Sequence, residues 1–498
     1  MNAARPSLLS LTTLMAALVL AGCANAPATP DAKLSVPTAF KQATTAVQPP
    51  AGWKLAEGNE AQARGPWWAG FADATLDGLM KQAQQASPSL AAAAARVQAA
   101  RSALRGSEAG QLPQVNLSAG ATRAKSSAAE AGLAAGTNVP PATVWQAGVG
   151  ASYEIDLFKR VANSVSAAQA DAAASEASYQ SVLLALQADV AQTYFQLRTL
   201  DADVDVLTRG LDLREQTLQL ITKRRAAGDV SELDVARART DLATTRAELQ
   251  SLRGTRARTE HALALLLGQA PASFSLAPSP LASDASVPAV PPGLPSSLLE
   301  RRPDVVAAQA QMRAASARVG QAQAALFPAL VLTANGGLAS YELRDLFELS
   351  SRSWLTSAVL SLPLFDGGRN KALVSKAEAQ LAESVAVYQQ SVLQAFGDVE
   401  GQLATLGSLR EQSASLDEAL VSARRSAELA DKRYRAGEDS YLTLLDAQRS
   451  LLAVERQALQ LRGAWAGGTV GLVRALGGGW AQAPQAAQAA QPSQQARL

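Results

Sequence analysis

Few residues in this chain could carry chemistry, and that scarcity removes whole classes of function. The 498 residues hold one histidine, His261, and one cysteine, Cys23. One imidazole cannot build a multi-histidine metal site, and one thiol cannot form an intrachain disulfide. His261 sits in an Ala/Leu-rich helical stretch and reads as a packing or surface residue. The run Leu476–Gly479, "LGGG", lacks the Lys and following Ser/Thr of a phosphate loop, so it reads as a helix end. No nucleophile constellation is recognisable, and neither an enzyme nor a cofactor is expected. Lys and Arg number 45 against 43 acids, a net +2 that gives no reason for a nucleic-acid partner. What remains is a charged helical face: Leu442, Asp446 and Arg449 recur at i, i+4 and i+7. Taken alone, Asp446 and Arg449 read as a solvated pair worth about 0.3 kcal/mol.

The elements that carry this face occur twice. "RYRAGEDSYLTLLDAQR", Arg433 to Arg449, breaks at Gly437 as "RRAAGDVSELDVARART", Arg224 to Thr240, breaks at Gly228. Arg225 and Arg237 stand in the first copy where Tyr434 and Asp446 stand in the second. Further anchors keep the same order: Leu112-Pro113 with Phe327-Pro328, Leu157-Phe158 with Leu364-Phe365, and Leu267-Gly268 with Leu476-Gly477. Ordered anchors indicate duplication. Each half reads helix, strand pair, long helix, glycine turn, helix, with first helices starting near Pro88 and Pro303. Val161 to Ala227 contains only Gly210 as a potential breaker, enough for a rod of about 100 Å. Tyr179, Leu183, Leu186, Val190, Tyr194, Leu197, Leu200, Val204, Leu207, Leu211, Leu218 and Ile221 keep coiled-coil spacing, with Arg214 as the one gap. The return helices continue through Leu233, Leu242, Leu249 and Leu252, and through Leu442, Leu445, Leu452 and Leu459. A composition of 48% hydrophobic but 5% aromatic residues suits such alanine-rich helical packing.

The strand segments are Val115 to Arg123, Trp145 to Ile155, Leu330 to Leu338 and Trp354 to Leu362. Each has about the 9–11 residues that a tilted membrane strand requires. Trp145, Tyr153, Tyr341 and Trp354 fall near strand ends, where membrane aromatic belts belong. Four strands cannot close a membrane barrel, and an open edge in lipid leaves backbone groups unpaired, so spanning would oblige several subunits to share one barrel. Residues 1–22 have signal-peptide proportions. They lead into "LAGC", which resembles the bacterial lipobox with Cys23 as the lipidated residue. Ala24 after it favours sorting to the outer membrane by the same resemblance. Residues 23–65 read as a tether, 66–270 and 301–480 as the two repeats, 271–300 as a Pro-rich connector, and 481–498 as a disordered tail.

These motifs resemble the OprM/TolC-type outer-membrane factor family, in its lipoprotein branch. "LAGC", "PWWAGFAD" (66–73), "SYEIDLF" (152–158), "LLERRPDV" (298–305), "LPLFDGGR" (362–369), "YLTLLDAQRSLL" (441–452) and "ALGGGW" (475–480) recur in the family's order over nearly the whole mature chain. The resemblance implies a mostly α fold with transmembrane β: a homotrimer whose strands form one twelve-stranded barrel on a periplasmic helical tunnel. It implies a passive exit duct for drugs, in the outer membrane of a Gram-negative bacterium, docked to a periplasmic adaptor and an inner-membrane RND-type pump. A type I secretion duct is the near alternative, and a coiled-coil adaptor lipoprotein a more distant one. Lys159 departs from the family, which usually has Gly there.

The resemblance further places a closed iris at the glycine turns, with Leu442, Asp446 and Arg449 as constriction residues. Three copies of Asp446 would make an acidic, cation-selective ring. Their mutual repulsion calls for a basic neighbour, Arg449 or Arg237. Ala227, Gly228, Asp229, Ala436, Gly437 and Glu438 are the expected adaptor-contact turns.

Overall fold

The structure is a computed structural model and describes residues 36–42, 55–56, 66–280, 287–288, 290 and 301–478. Cys23, the signal peptide and the tail lie outside the described residues. Two compact units make up the chain. The first takes Arg96–Glu176 and Ala307–Gln389, and the second Leu34–Ala95, Ala177–Val306 and Gln390–Leu498. In chain order the elements are α1 (Ala74–Ala86), α2 (Pro88–Ala109), β1 (Gln114–Ala124), β2 (Ala142–Ile155), α3 (Arg160–Ala226) and α4 (Glu232–Leu266). They continue with α5 (Pro303–Ala324), β3 (Ala329–Ser340), β4 (Arg352–Ser361), α6 (Arg369–Ala436) and α7 (Tyr441–Ala475). The duplicated plan is thus present, and α3 passes through Gly210 unbroken.

In the first unit the two strand pairs join into one antiparallel sheet of order β1-β2-β3-β4. Its register sorts the side chains. Leu117 pairs with Val149, Val149 with Gly336, Tyr153 with Leu332, and Leu330 with Leu360, which gathers apolar residues on one face. Asn116 pairs with Gly150 and Gly150 with Asn335, and Thr333 with Ser357, on the other. An apolar face with a polar one behind it is the alternation of a membrane strand beside a wet lumen. Gly148 and Gly337 are register partners, and a Cβ on Gly337 would lie 2.5 Å from the Ala147 carbonyl oxygen. Such an approach marks a sharp bend of the sheet. Below the sheet, Phe158 of the first repeat stacks on Phe327 of the second at 4.8 Å between ring centroids.

The helix starts here explain "EIDLF" and "LFDGGR". Asp156 accepts from the Val161 and Ala162 amides, and Asp366 from those of Gly368 and Asn370, each satisfying donors that a helix start leaves free. Lys159 sits at φ 60°, the left-handed region that glycine fills at no steric cost. The family's Gly is therefore replaced without a change of turn. Lys159→Gly should relieve the left-handed strain, about 1–2 kcal/mol, offset by the extra unfolded-state freedom of glycine. A net gain of roughly 0.5–1 kcal/mol, read as a raised thermal midpoint, is the expected outcome.

In the second unit, "PWWAGFAD" is the segment least anticipated. Trp67–Phe71 forms a 3-10 turn and is followed by α1, capped by Asp73, neither of which the repeat plan contains. Trp67 donates to Gln187 at 3.1 Å, Phe71 packs on Phe195 at 4.7 Å, and the Tyr194 hydroxyl donates to Asp73. Burial, together with that bond, pushes the Tyr194 phenol up to about 12. Leu55–Ala56 pairs in parallel with Val287–Pro288, tying the N-terminal segment to the connector.

"ERRPDV" is equally structural. Arg302, buried, donates to Asp304, to Asp398 of α6 at 2.8 Å and to the Ala475 carbonyl at the end of α7. One guanidinium thus ties the start of α5 to both helices of the second hairpin. Arg302→Met should destabilise the protein by about 1–3 kcal/mol, because Asp398 and the α7 terminus lose a charged donor while the two carboxylates stay partly solvated. For Asp304, burial alone would raise the carboxyl, and the Arg302 bonds more than reverse it, leaving the group below its ordinary value. A depressed carboxylate stabilises fully above its unfolded value of about 3.9 and loses that contribution as pH falls through the folded value. Asp304→Asn should therefore show a smaller drop in thermal midpoint than the unsubstituted protein between about pH 7 and pH 3.

Candidate functional site

The glycine turns are built from local rules. At Gly228 (φ 84°) the Asp229 amide reaches back to the Arg224 carbonyl at 2.9 Å, and at Gly437 (φ 79°) the Glu438 amide reaches Arg433 at 2.9 Å. Both are left-handed helix ends with the long-range closing bond that such ends use. Ser231 then opens α4 with a capping box to Asp234, and Ser440 caps α7 through the Thr443 amide. Ala227, Gly228, Asp229, Ala436, Gly437 and Glu438 are all exposed.

Behind the turns, Ile221, Val235, Ala238, Ala430, Tyr434, Tyr441, Leu444 and Leu445 form one buried core shared by both hairpins. Arg224 lies 4.9 Å over the Tyr434 ring and donates to the carbonyls of Tyr434 and Arg435. Tyr434 therefore replaces its counterpart Arg225 for a packing reason. Burial pushes the Tyr441 phenol up to about 12. Leu233 and its repeat equivalent Leu442, expected on the seam, are instead exposed at 57% and 43%. Each lies on the face of its return helix turned away from the core that Val235, Tyr441 and Leu444 enter.

The charges pair differently from the sequence expectation. Arg449 donates from Nε to Asp241 at 2.8 Å, and the other oxygen of Asp241 accepts from Arg214 at 2.7 Å. Asp241 and Arg214 are buried, while the Arg449 side chain is half exposed. Arg237 lies 3.6 Å from Asp234. Asp446 is exposed, with no ion pair in its own chain among the described residues. Two helical turns further along α7, Arg456 grips Asp203 of α3 with two nitrogens, 2.6 and 3.1 Å, and also meets Glu248 of α4. Arg449 and Arg456, at i and i+7, fasten one face of α7 to the first hairpin.

Arg214 and Asp241 are the site residues that sequence reading missed, though a signal was present. Arg214 was the one gap in the apolar seam, and a charge at a core position requires a buried partner. Asp241 lies on the inward stripe of α4, between the buried Ala238 and Thr245. His261 is an exposed surface residue. On the sheet, Trp145, Tyr153 and Trp354 share the apolar face, Trp145 and Trp354 toward its loop end and Tyr153 toward the other. Tyr341 stands just past β3, 72% exposed.

The sequence profile of the family described as "Outer membrane efflux protein" matches residues 79–269 and 294–478. The chain belongs to the outer membrane efflux protein family. Outer membrane protein OprJ of Pseudomonas aeruginosa is 36% identical over 415 residues, covering 83% of this chain and 86% of its own length. A probable outer membrane lipoprotein, SilC of Salmonella typhimurium, is 31% identical over 479 residues, 95% and 99% of the two chains. Among solved structures, the outer-membrane channel OprN matches at a TM-score of 0.81 with 30% identity, covering 91% of this chain and 98% of that one. This outer membrane efflux protein is thus a channel of the Gram-negative outer membrane, its relatives are channels rather than enzymes, and its fold is the TolC-like combination of helical hairpins and membrane sheet.

Proposed function

We propose that the chain works as a homotrimeric exit duct of a tripartite pump, carrying toxic small molecules outward from a periplasmic adaptor and an inner-membrane RND-type pump. The carrying observation is the four-stranded sheet with one apolar face and two unpaired edges, β1 and β4. In lipid each unpaired backbone group costs several kcal/mol, so the edges must be closed by other copies. Strand direction alternates through the sheet, and a neighbour's β1 continues that alternation beside β4. Three copies of four strands make a barrel of even strand number, the membrane pattern.

In this reading the exposed turns 226–231 and 436–440 meet the adaptor, and Cys23 carries the lipid. Leu442, Asp446, Arg449 and Arg237 line the closed end, with Arg449 latched to Asp241 within the chain. Asp446 is free to face its symmetry mates. The test is purification of the full chain from membranes in mild detergent with cross-linking. A heat-modifiable trimer that co-purifies with an adaptor is expected. A soluble monomer that captures no adaptor would overturn the reading.

A further inference from the structure

The segment between β3 and β4, residues 341–351, is not a slack connector. Leu343–Asp345 and Leu349–Ser351 form 3-10 turns, Leu346 is buried, and the Ser351 hydroxyl donates to the Asp345 carbonyl at 2.6 Å. This folded knob holds four large apolar side chains outward: Tyr341, Leu343, Phe347 and Leu349, at 72, 52, 79 and 75% exposure. A rigid segment presenting such a patch marks an interaction surface. Its place is specific, because the knob leads directly into β4, an open edge of the sheet. The chain's own β1–β2 loop, 125–141, emerges at the same end of the sheet and leaves the patch uncovered.

Charge narrows the occupant. The knob carries Glu342, Asp345 and Glu348 against Arg344, and Arg344 is taken by the first two at 2.7 and 3.2 Å. Glu348 has no ion pair among the described residues, its carboxylate accepting only from the Ser350 hydroxyl at 3.3 Å. The resulting negative balance disfavours an anionic lipid surface. At the loop end of β1, Arg123 is exposed without an ion pair among the described residues, and Lys125 reaches only Asn138. When β1 of a second copy continues the sheet past β4, its Arg123 and Lys125 arrive at the loop end of the sheet, where Glu342, Asp345 and Glu348 outnumber Arg344 and the exposed Arg352 that opens β4. The loop behind them brings Leu133, 48% exposed, toward the apolar patch.

We infer that the 341–351 knob of each copy docks on the β1–β2 loop of the next, with Glu348 meeting Arg123 or Lys125, to form an intersubunit collar at the loop end of the sheet. The inference rests on the trimer reading above. The test uses the full chain in detergent and follows the half-life of the heat-modifiable oligomer at fixed temperature. Glu348→Arg, and separately Arg123→Glu with Lys125→Glu, should each shorten it roughly fivefold, and combining them should restore it. Phe347→Ser should shorten it without any change of charge. Co-expressed chains with different tags, one carrying Lys125→Cys and the other Glu348→Cys, should cross-link to each other through a bis-maleimide. Chains with no introduced cysteine should not. An intact oligomer with unchanged half-lives and no cross-link between tags would overturn the collar and leave the trimer standing. Failure of the unsubstituted chain to give any oligomer band would overturn both.

Discussion

Asp241→Ala is expected to loosen the turn end of the two hairpins and to raise single-channel conductance in planar bilayers. The carboxylate serves two arginines on two helices. Removing it leaves Arg214 buried with only the Gly210 carbonyl at 3.1 Å, and stranding a buried charge costs about 3–5 kcal/mol. It also frees Arg449, one of the two arginines through which the α7 face is fastened. Arg449→Ala separates the two effects. Its side chain is half exposed, so the stability loss should stay near or below about 1 kcal/mol, while the latch is broken just as completely. A gate predicts raised conductance and antibiotic permeability in both variants. A merely structural pair predicts a lower thermal midpoint for Asp241→Ala with conductance unchanged in both, and that result would sink the latch.

The second large effect is expected from Gly337→Val. A Cβ there would stand 2.5 Å from the Ala147 carbonyl oxygen and 2.6 Å from the Gly148 Cα, both backbone atoms that cannot rotate away. The clash would pry β2 from β3 at the centre of the sheet, breaking ladder bonds that lipid cannot replace. The variant should fail to reach the outer membrane as a heat-modifiable oligomer and should be degraded, as read by membrane fractionation and immunoblot. Gly336→Ala is the control. Its Cβ would meet nothing within 4 Å, so normal assembly is expected. Equal loss in both variants would show that a side chain on this stretch, rather than the close approach, is what the barrel rejects.

Most of the architecture was legible because its causes are local and periodic. Pro88 and Pro303 begin helices where their ring and missing amide suit the first turn, and Gly228 and Gly437 end them where a left-handed residue is needed. Segment length and the aromatics near the segment ends placed the four strands to within three residues at each end. The partner of β2 was not legible: pairing with β3 joins segments far apart in sequence, and no local spacing specifies it. The 3-10 turn at Trp67 and α1 were hidden for another reason, since the repeat anchors began each half only at Pro88 and Pro303. At the turns, one-dimensional spacing brought Leu442, Asp446 and Arg449 onto a face but could not choose Arg449's counter-ion. That choice depended on how α7 packs against α4, which only the folded chain determines. Tyr434 shows the converse, an aromatic whose place in the core follows from Arg224 across the hairpins.

The alternation of the sheet has a further consequence, for how the protein reaches its membrane. Its apolar surface is written in every second residue, interleaved with Asn116, Ser118, Gln146 and Ser152, and no described helix is long and apolar enough to cross a bilayer. Machinery that retains nascent chains by continuous greasiness therefore meets nothing to hold in these strands. The affinity of the sheet for lipid does not exist in the translocating polypeptide. It comes into being only when the strands pair, so insertion of the sheet and its folding are a single event, and a chain that cannot pair its strands could be tethered by lipid but not threaded through the bilayer.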